Sequence, residues 1–564
     1  MNRPDVVHFV SHFATPRMLG LAAAPLIVLL MACGGGERAA PYNDSITEAE
    51  LRDDLFLLAH DSMRGRLSGT AELETTSDWI RDRFDELGLQ PAGDNGTYDQ
   101  HFDLVWFSLG SGDLLTVEGA GGARAGGNGW TPSNAGAAGS ASGPVVFVGF
   151  GIVEPRLNYD DYLGTSVDGK IVLVLDREPG VSDPASPFDG VVTTEASRTW
   201  RKALSAQERG ASAILFVRDL HNRPDIDDWG QYHASLWPAD MRRIERFTLG
   251  AWAEQVRIPA AEVSVELAQA LIAVSGNSLS ELGVMAEESP DGYGVIELPG
   301  TRLDLTTSVQ RNVVLGRNVL ALLEGADPEL RDEVVIIGAH HDHNGADGET
   351  VFNGADDDGS GTVGVLEVAE AYARAAEEGE RPRRSVMFAL WDAEERGLLG
   401  AWYYTLRPFF PLERTAANLN LDMIGRHEEV PEDGGGRFRG LAVQSAESNA
   451  NAINILGYTR APELASMVEA ANEPTGLTLR FRYDNNESNL LRRSDHWPFL
   501  QNDVPAIWFH TGLHPDYHTP FDDAERIEYE KMTRIVRLVH QTSWDLANSD
   551  TRPRVSPMGV RPPS

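Results

Sequence analysis

Cysteine is almost absent. A single residue, Cys33, serves a chain of 564. No disulfide framework can form, so stability has to come from a buried core and from bound metal. Positive charge is scarce as well: 48 Lys and Arg stand against 85 Asp and Glu, a net charge of −37. Binding phosphate backbones needs clustered cations, and the sequence shows no such cluster, which excludes nucleic acid as a partner. Long apolar runs are missing except for one, 19-LGLAAAPLIVLLMAC-33. That run is shorter than the roughly 20 residues a membrane-spanning helix requires. Hydrophobic residues nevertheless make up 42% of the chain, and its length exceeds what one ordinary core serves. Two domains with tails are expected.

Arg3 and Arg17 precede the apolar run, the arrangement of a signal-peptide h-region. Its ending, Leu30-Met31-Ala32-Cys33, resembles a bacterial lipobox, in which the cysteine is lipidated and becomes the mature N-terminus. Cleavage by a general signal peptidase is the alternative. Residues 1–33 are expected to be a signal peptide and 34-GGGERAAPYND-44 a flexible tether. The protein is thus expected to be exported: anchored in a bacterial membrane through Cys33 and facing the periplasm or cell surface, or secreted.

Beyond the tether, 75-TTSDWIRDRFDELGL-89 carries apolar residues at helical spacing, with Gly88 as a stop. Residues 108–143 turn to Gly, Ser and Ala, a low-complexity stretch that marks a boundary. Short strands follow at 144–152, 169–180 and 212–219, with a helix over 201–211. From 317 onward strands and helices alternate. Strands are expected at 317–325, 333–339, 384–392, 417–425 and 503–510, and helices at 361–378 and 523–548. Near-continuous apolar strands alternating with helices predict an α/β fold. Ligands on such a sheet collect beyond the carboxyl ends of the strands.

Those ends hold the chemistry. The strand 333-EVVIIGA-339 runs into His340, His341, Asp342 and His343. Next come 353-NGADDDGSGT-362, then the acid pair Glu394 and Glu395 after 384-RSVMFALWD-392. Asp422 is expected inside the strand 417–425, and His510, His514 and His518 close the series. Each has an ordinary explanation alone, such as a polar turn or acids at a helix start. Together they crowd one edge of one sheet, where a shared cation would relieve the carboxylates. A calcium loop needs an Asp where Gly354 or His340 stands. Neither H-E-x-x-H nor G-x-S-x-G occurs. Mixed His and carboxylate ligation suits zinc, and a site of two ions with a water or hydroxide between them is expected.

The ordered set GAHHDH, NGADDDGSG, WDAEERGLLG, NLNLDMIG and HPDYHTP resembles the M28 family of co-catalytic zinc peptidases. The stretches FVGFGIVEPRLNYDDYLGTSVDGKIVLVL and ERGASAILFV resemble a protease-associated (PA) domain, and 63-MRGRLSGTAELETTSDWIRDRFDELGLQP-91 resembles the family's N-terminal helical part. The resemblance implies a mixed, mainly parallel sheet sandwiched by helices, with an inserted β-rich PA domain. It divides the chain into 45–115, N-terminal peptidase part; 116–300, PA insert; 301–548, catalytic domain; and 549–564, tail. It further implies two Zn2+ ions. His340 and Asp422 would serve one, Glu395 and His518 the other, and Asp357 would bridge them. Asp342 would orient His340, Glu394 would act as general base, and Tyr517 could contact the oxyanion or substrate. His341, His343, His510 and His514 are expected in peripheral or surface roles, and His496 in the cleft wall.

The function implied is a metal-dependent exopeptidase acting on peptides or proteins, foremost an aminopeptidase. A carboxypeptidase of the same fold would need a cationic pocket for the substrate C-terminus, for which Arg492 and Arg493 are candidates. An inactive receptor or scaffold, and glutaminyl cyclisation on the same fold, are the remaining alternatives.

Overall fold

The computed structural model describes residues 39–557, apart from 119–121, 125, 218–225 and 227. The expectations for residues 1–33, Cys33 included, lie outside these residues. Among the described residues no helix is long and apolar enough to cross a membrane.

A ten-stranded sheet organises the first region. Its centre is four neighbouring strands, Ser385–Trp391, Val334–His340, Thr415–Leu421 and Ala506–His510, paired parallel throughout. Antiparallel strands flank this centre: Val309–Leu323 with Asp99–Leu109 on one side, Ala452–Leu456 on the other. Alternation along Val334–His340 sends Val335, Ile337 and Ala339 into one apolar layer and Val334 and Ile336 into the opposite one. The helices Glu48–Leu58, Ala71–Glu86, Gly361–Glu377 and Tyr529–Asn548 cover the first layer; Leu399–Leu406 and His496–Gln501 cover the second. Both faces are therefore dry, which is why the central strands read as unbroken apolar runs.

An eight-stranded sheet organises the stretch between. Gly139–Phe147, Ile171–Leu175, Ala213–Val217 and Ala260–Val263 form its parallel centre. The low-complexity run 108–143, expected to mark a boundary, lies where the chain passes from Asp99–Leu109 of the first sheet into the second. It contributes Leu114–Val117, Gly122–Arg124, Trp130–Pro132 and most of Gly139–Phe147 to this sheet. Small residues there suit close sheet contacts. The stretch is also not fully separate, because Thr248–Leu249 pairs with Asp99–Leu109 of the first sheet.

Two element ends differ from expectation in ways that matter for the site. The strand expected at 417–425 stops at Leu421, so Asp422 lies just past a strand rather than inside one. The C-terminal helix begins at Tyr529, not 523, leaving Asp522 and Asp523 in a turn free to face the Asp356–Asp358 loop.

Candidate metal centre

Backbone geometry places the polar groups. Ala393, Met423 and His518 all adopt left-handed φ, at 59°, 56° and 56°. They sit immediately before Glu394, immediately after Asp422, and at a candidate ligand itself. Such a conformation costs a non-glycine residue roughly 1–3 kcal/mol and persists only where the surroundings enforce it. Gly354, at φ 56°, opens the acidic loop; a Cβ there would meet the Asp357 carbonyl at 2.3 Å and the His343 ring at 2.5 Å. Arg66, fully buried, ties the two loops together. Its guanidinium donates to the carbonyls of His341 at 3.0 Å, Asn353 at 2.7 Å and Gly354 at 2.9 Å.

These constraints bring the expected residues together. His340 Nε2 lies 3.3 Å from Asp357 Oδ1, 3.7 Å from Glu394 Oε2 and 3.9 Å from Asp422 Oδ1. The other oxygen of Asp357, Oδ2, lies 2.9 Å from His518 Nε2, which is 3.1 Å from Glu395 Oε1. Asp357 thus faces both imidazoles with different oxygens. Tyr517 stacks on His518, ring centroids 3.8 Å apart. His340 Nδ1 meets the main-chain carbonyl of Asp342 at 3.1 Å, while the Asp342 carboxylate, 3.6 Å from that nitrogen, accepts from the Glu394 N–H at 2.9 Å.

His341, His343, His510 and His514, expected either behind the ligands or at the surface, are all buried, which leaves the position behind the ligands. His343 is buried with Nδ1 2.8 Å from Glu395 Oε1, and the trio His343, Asp357 and Glu395 is spaced to share a cation, as is His340, Glu394 and Asp422. His514 lies 3.2 Å from Asp356, and His510 meets the Asp422 carbonyl at 3.2 Å. His341 contacts Ser77 at 2.8 Å, and burial lowers its imidazole to about 3, so it stays neutral. His496 is fully buried and packs on Trp508 rather than forming an accessible wall. Asp495, a buried carboxylate with both oxygens unpartnered, was not singled out in the sequence. Its signal was its place in 494-SDHWPF-499, within the electrostatic field of His340 and Asp422.

The electrostatics are those of negative charge in want of a counter-ion. Burial opposes a charge on His518, yet Glu395 and Asp357 outweigh it and lift the imidazole to about 10. Burial likewise pushes Asp422 up to about 7 despite His340, and raises Glu394 well above the usual carboxylate range. His340 Nε2, Asp357 Oδ2 and both ring nitrogens of His343 are buried, and although oppositely charged groups stand as near as 2.8–3.3 Å to three of these four atoms, none is aligned for a hydrogen bond. Unpaired buried polar atoms of this kind are costly. A borderline-soft divalent cation satisfies such His and carboxylate donors together, so the donor set fits zinc.

The model of peptidase family M28 matches residues 318–543, the segment that carries every one of these strand-end groups. Residues 318–543 belong to peptidase family M28. A probable zinc metalloprotease from Pyrenophora tritici-repentis is 29% identical over 305 residues, covering 49% of this chain and 60% of that protein. A probable glutamate carboxypeptidase from Arabidopsis thaliana is 28% identical over 274 residues, covering 47% and 35%. Leucine aminopeptidase 2 from Trichophyton equinum is 28% identical over 219 residues, covering 38% of each chain. The chain therefore spans less than two thirds of the length of these relatives. Among solved structures, an aminopeptidase from Aneurinibacillus sp. strain AM-1 aligns over 93% of this chain and 97% of its own, at 17% identity and a TM-score of 0.46.

The same M28 region separates the two arginines that the carboxypeptidase alternative relied on. Arg492 is committed: it pairs with Glu195 at 3.2 Å and donates to the Thr193 carbonyl. Arg493 has no such tie.

Proposed function

We propose that this chain is a zinc-dependent exopeptidase that removes residues from free peptide N-termini. One observation carries the reading: Asp357 faces His340 with one oxygen and His518 with the other, and it belongs to one of two groups of three residues spaced to share a cation, while His340 belongs to the other. His340, Asp357 and Asp422 would hold one ion, and Asp357, Glu395 and His518 a second. His343 stands beside Glu395 and fixes it, or completes that set. Zinc, when bound, acidifies water and polarises a carbonyl.

The remaining work falls to the chain. Glu394, held through its N–H by Asp342, takes the proton of the attacking water and returns it to the departing amine. Burial raises the Tyr517 phenol, which keeps its proton and can donate to the developing oxyanion. The main-chain carbonyl of Asp342 fixes the His340 ring, leaving Nε2 directed at the carboxylates. Closely spaced carboxylates also suit a substrate ammonium. The 116–300 stretch acts as a PA-like insert that walls the cleft, and Cys33 anchors an exported protein. The named aminopeptidase and carboxypeptidase relatives support the exopeptidase class.

Peptides with free or blocked ends, incubated with zinc-loaded protein and read by mass spectrometry with a chelator control, test the proposal. Stepwise loss from free N-termini that stops with chelator is expected. Loss from the C-terminus would reverse the direction and make the protein a carboxypeptidase. Zinc binding without any cleavage would leave a scaffold.

A further inference from the structure

A cavity of 410 Å³ is walled by Gly436, Arg437, Arg439, Glu487, Arg492 and Arg493, among others. Its size suits a small ligand. Four guanidinium groups against one carboxylate is an unusual lining in a chain of net charge −37. The four do different things. Arg492 is engaged with Glu195 and Thr193. Arg437 donates to the main-chain carbonyl of Tyr517, which fastens the 431–441 loop to the residue before His518. The guanidinium groups of Arg439 and Arg493 make no hydrogen bond or ion pair among the described residues. They are free to bind something else.

Two ties relate this cavity to the metal centre: Arg437 holds the Tyr517 carbonyl beside His518, and Arg493 adjoins Ser494. Arg493 precedes Ser494, whose hydroxyl donates to Asp422 Oδ2. The Tyr517 phenol is within electrostatic reach of Arg493 and equally of Asp357, Glu395 and Glu394. The cleft is thus electrically split: acids at the strand ends, arginines on the flank next to Tyr517. A peptide whose ammonium lies toward the acids directs its other end to the arginines. Planar guanidinium forks match a carboxylate with paired hydrogen bonds, which an amide cannot reproduce.

We propose that Arg439 and Arg493 bind a substrate carboxylate on the leaving-group side of the cleaved bond, and so select short peptides with a free C-terminus or peptides with an acidic residue there. This rests on the peptidase reading. The carboxylate has two sources, the chain terminus or an Asp or Glu side chain, and the same chemistry serves both.

The test compares zinc-loaded wild type with Arg439→Gln and Arg439→Gln/Arg493→Gln on four dipeptides: Ala-Leu, Ala-Leu amide, Ala-Glu amide and Ala-Gln amide. Arg439 is exposed and unpaired, so the single variant folds even if the double does not. In wild type, kcat/KM is expected to favour at least one carboxylate-bearing member of a pair by about tenfold or more, equivalent to about 1.4 kcal/mol. The ratio falls in the single variant and approaches one in the double, and it shrinks at high salt because the groups are only half shielded. Preference for Ala-Leu over its amide assigns the terminal carboxylate; preference for Ala-Glu amide over Ala-Gln amide assigns the side chain. Equal rates within both wild-type pairs, or ratios that survive both substitutions, overturn the subsite while leaving the peptidase intact. Turnover of none of the four overturns the peptidase reading instead. Isothermal titration with Ala-Leu carrying a reduced CH2–NH link, as acid and as amide, then decides the subsite without turnover. Equal affinity for the two removes it.

Discussion

Asp161 and Glu178, around the eight-stranded sheet, are as deeply buried as Asp357 and Asp422 at the ends of the ten-stranded one. Their surroundings differ. Asp161 accepts from the N–H groups of Phe150, Ile152 and Tyr293 and from the Tyr159 hydroxyl. Glu178 accepts from both the N–H and the hydroxyl of Thr194. Both carboxylates are turned inward to brace the chain. Across the metal-facing edge, by contrast, His340 Nε2, Asp357 Oδ2 and both Asp495 oxygens make no aligned hydrogen bond to the protein. Both regions use parallel strands under helices, yet among the described residues the buried imidazole and carboxylate atoms without a hydrogen-bond partner all lie around the ten-stranded sheet, whereas around the eight-stranded sheet the unpartnered atoms are Tyr162 Oη, Trp200 Nε1 and Arg201 Nε. Satisfied polar groups hold a fold; unsatisfied ones imply a guest.

That contrast can be broken in several places. The largest effect is expected from Glu394→Gln, with turnover down about 10²–10⁴-fold and zinc content by mass spectrometry unchanged. Near-normal turnover would remove Glu394 as the proton acceptor. Next, Glu195→Gln strands Arg198 and Arg492, its partners at 2.8 and 3.2 Å, and frees Trp497 Nε1. Breaking this buried set is expected to cost about 3 kcal/mol in denaturant unfolding, because a residue of the insert holds the segment that leads into Ser494 and Asp495. An unchanged midpoint would mean the insert merely rests on the M28 region.

A matched pair sharpens the comparison further. Asp357→Asn should retain markedly less zinc after dialysis, whereas Asp161→Asn should retain all of it and lose about 1–3 kcal/mol of stability. Equal zinc loss in both would end the distinction between guest-holding and chain-bracing acids.

The smallest effect separates acids that want metal from one that wants only a proton. Glu367, on the helix Gly361–Glu377, is buried with Oε1 unpartnered. Burial, with Glu370 and Glu50 nearby, lifts it from an ordinary 4.5 to about 8. Between these values the folded chain keeps a proton the unfolded chain has lost, so stability falls as pH rises through this window. Glu367→Gln removes that dependence, and its melting temperature should gain a few degrees on wild type at pH 8 but little at pH 5. An identical pH slope in both proteins would refute the assignment.

Much of this was legible beforehand. The apolar runs located the central strands within a few residues, and the polar knots after them located the candidate ligands. Other features were not. Asp422 read as a strand residue because nothing local announces that the chain turns after Leu421. His343 read as peripheral because it is one of three histidines in four positions, and no period says which ring turns inward. Arg66 lacked a signal of its own, as its partners are set by packing from distant parts of the chain.

The sequence by itself determined the α/β alternation, the scarcity of thiols and cations, and the order in which His and carboxylate groups arrive at one sheet edge. These follow from side-chain period and residue type, which are local. Tertiary structure alone decided which oxygen of Asp357 faces which imidazole, that Arg492 is spent while Arg493 is free, and that the Gly-rich run is sheet. Those outcomes depend on contacts between residues hundreds of positions apart, where close packing leaves a polar atom either matched or bare.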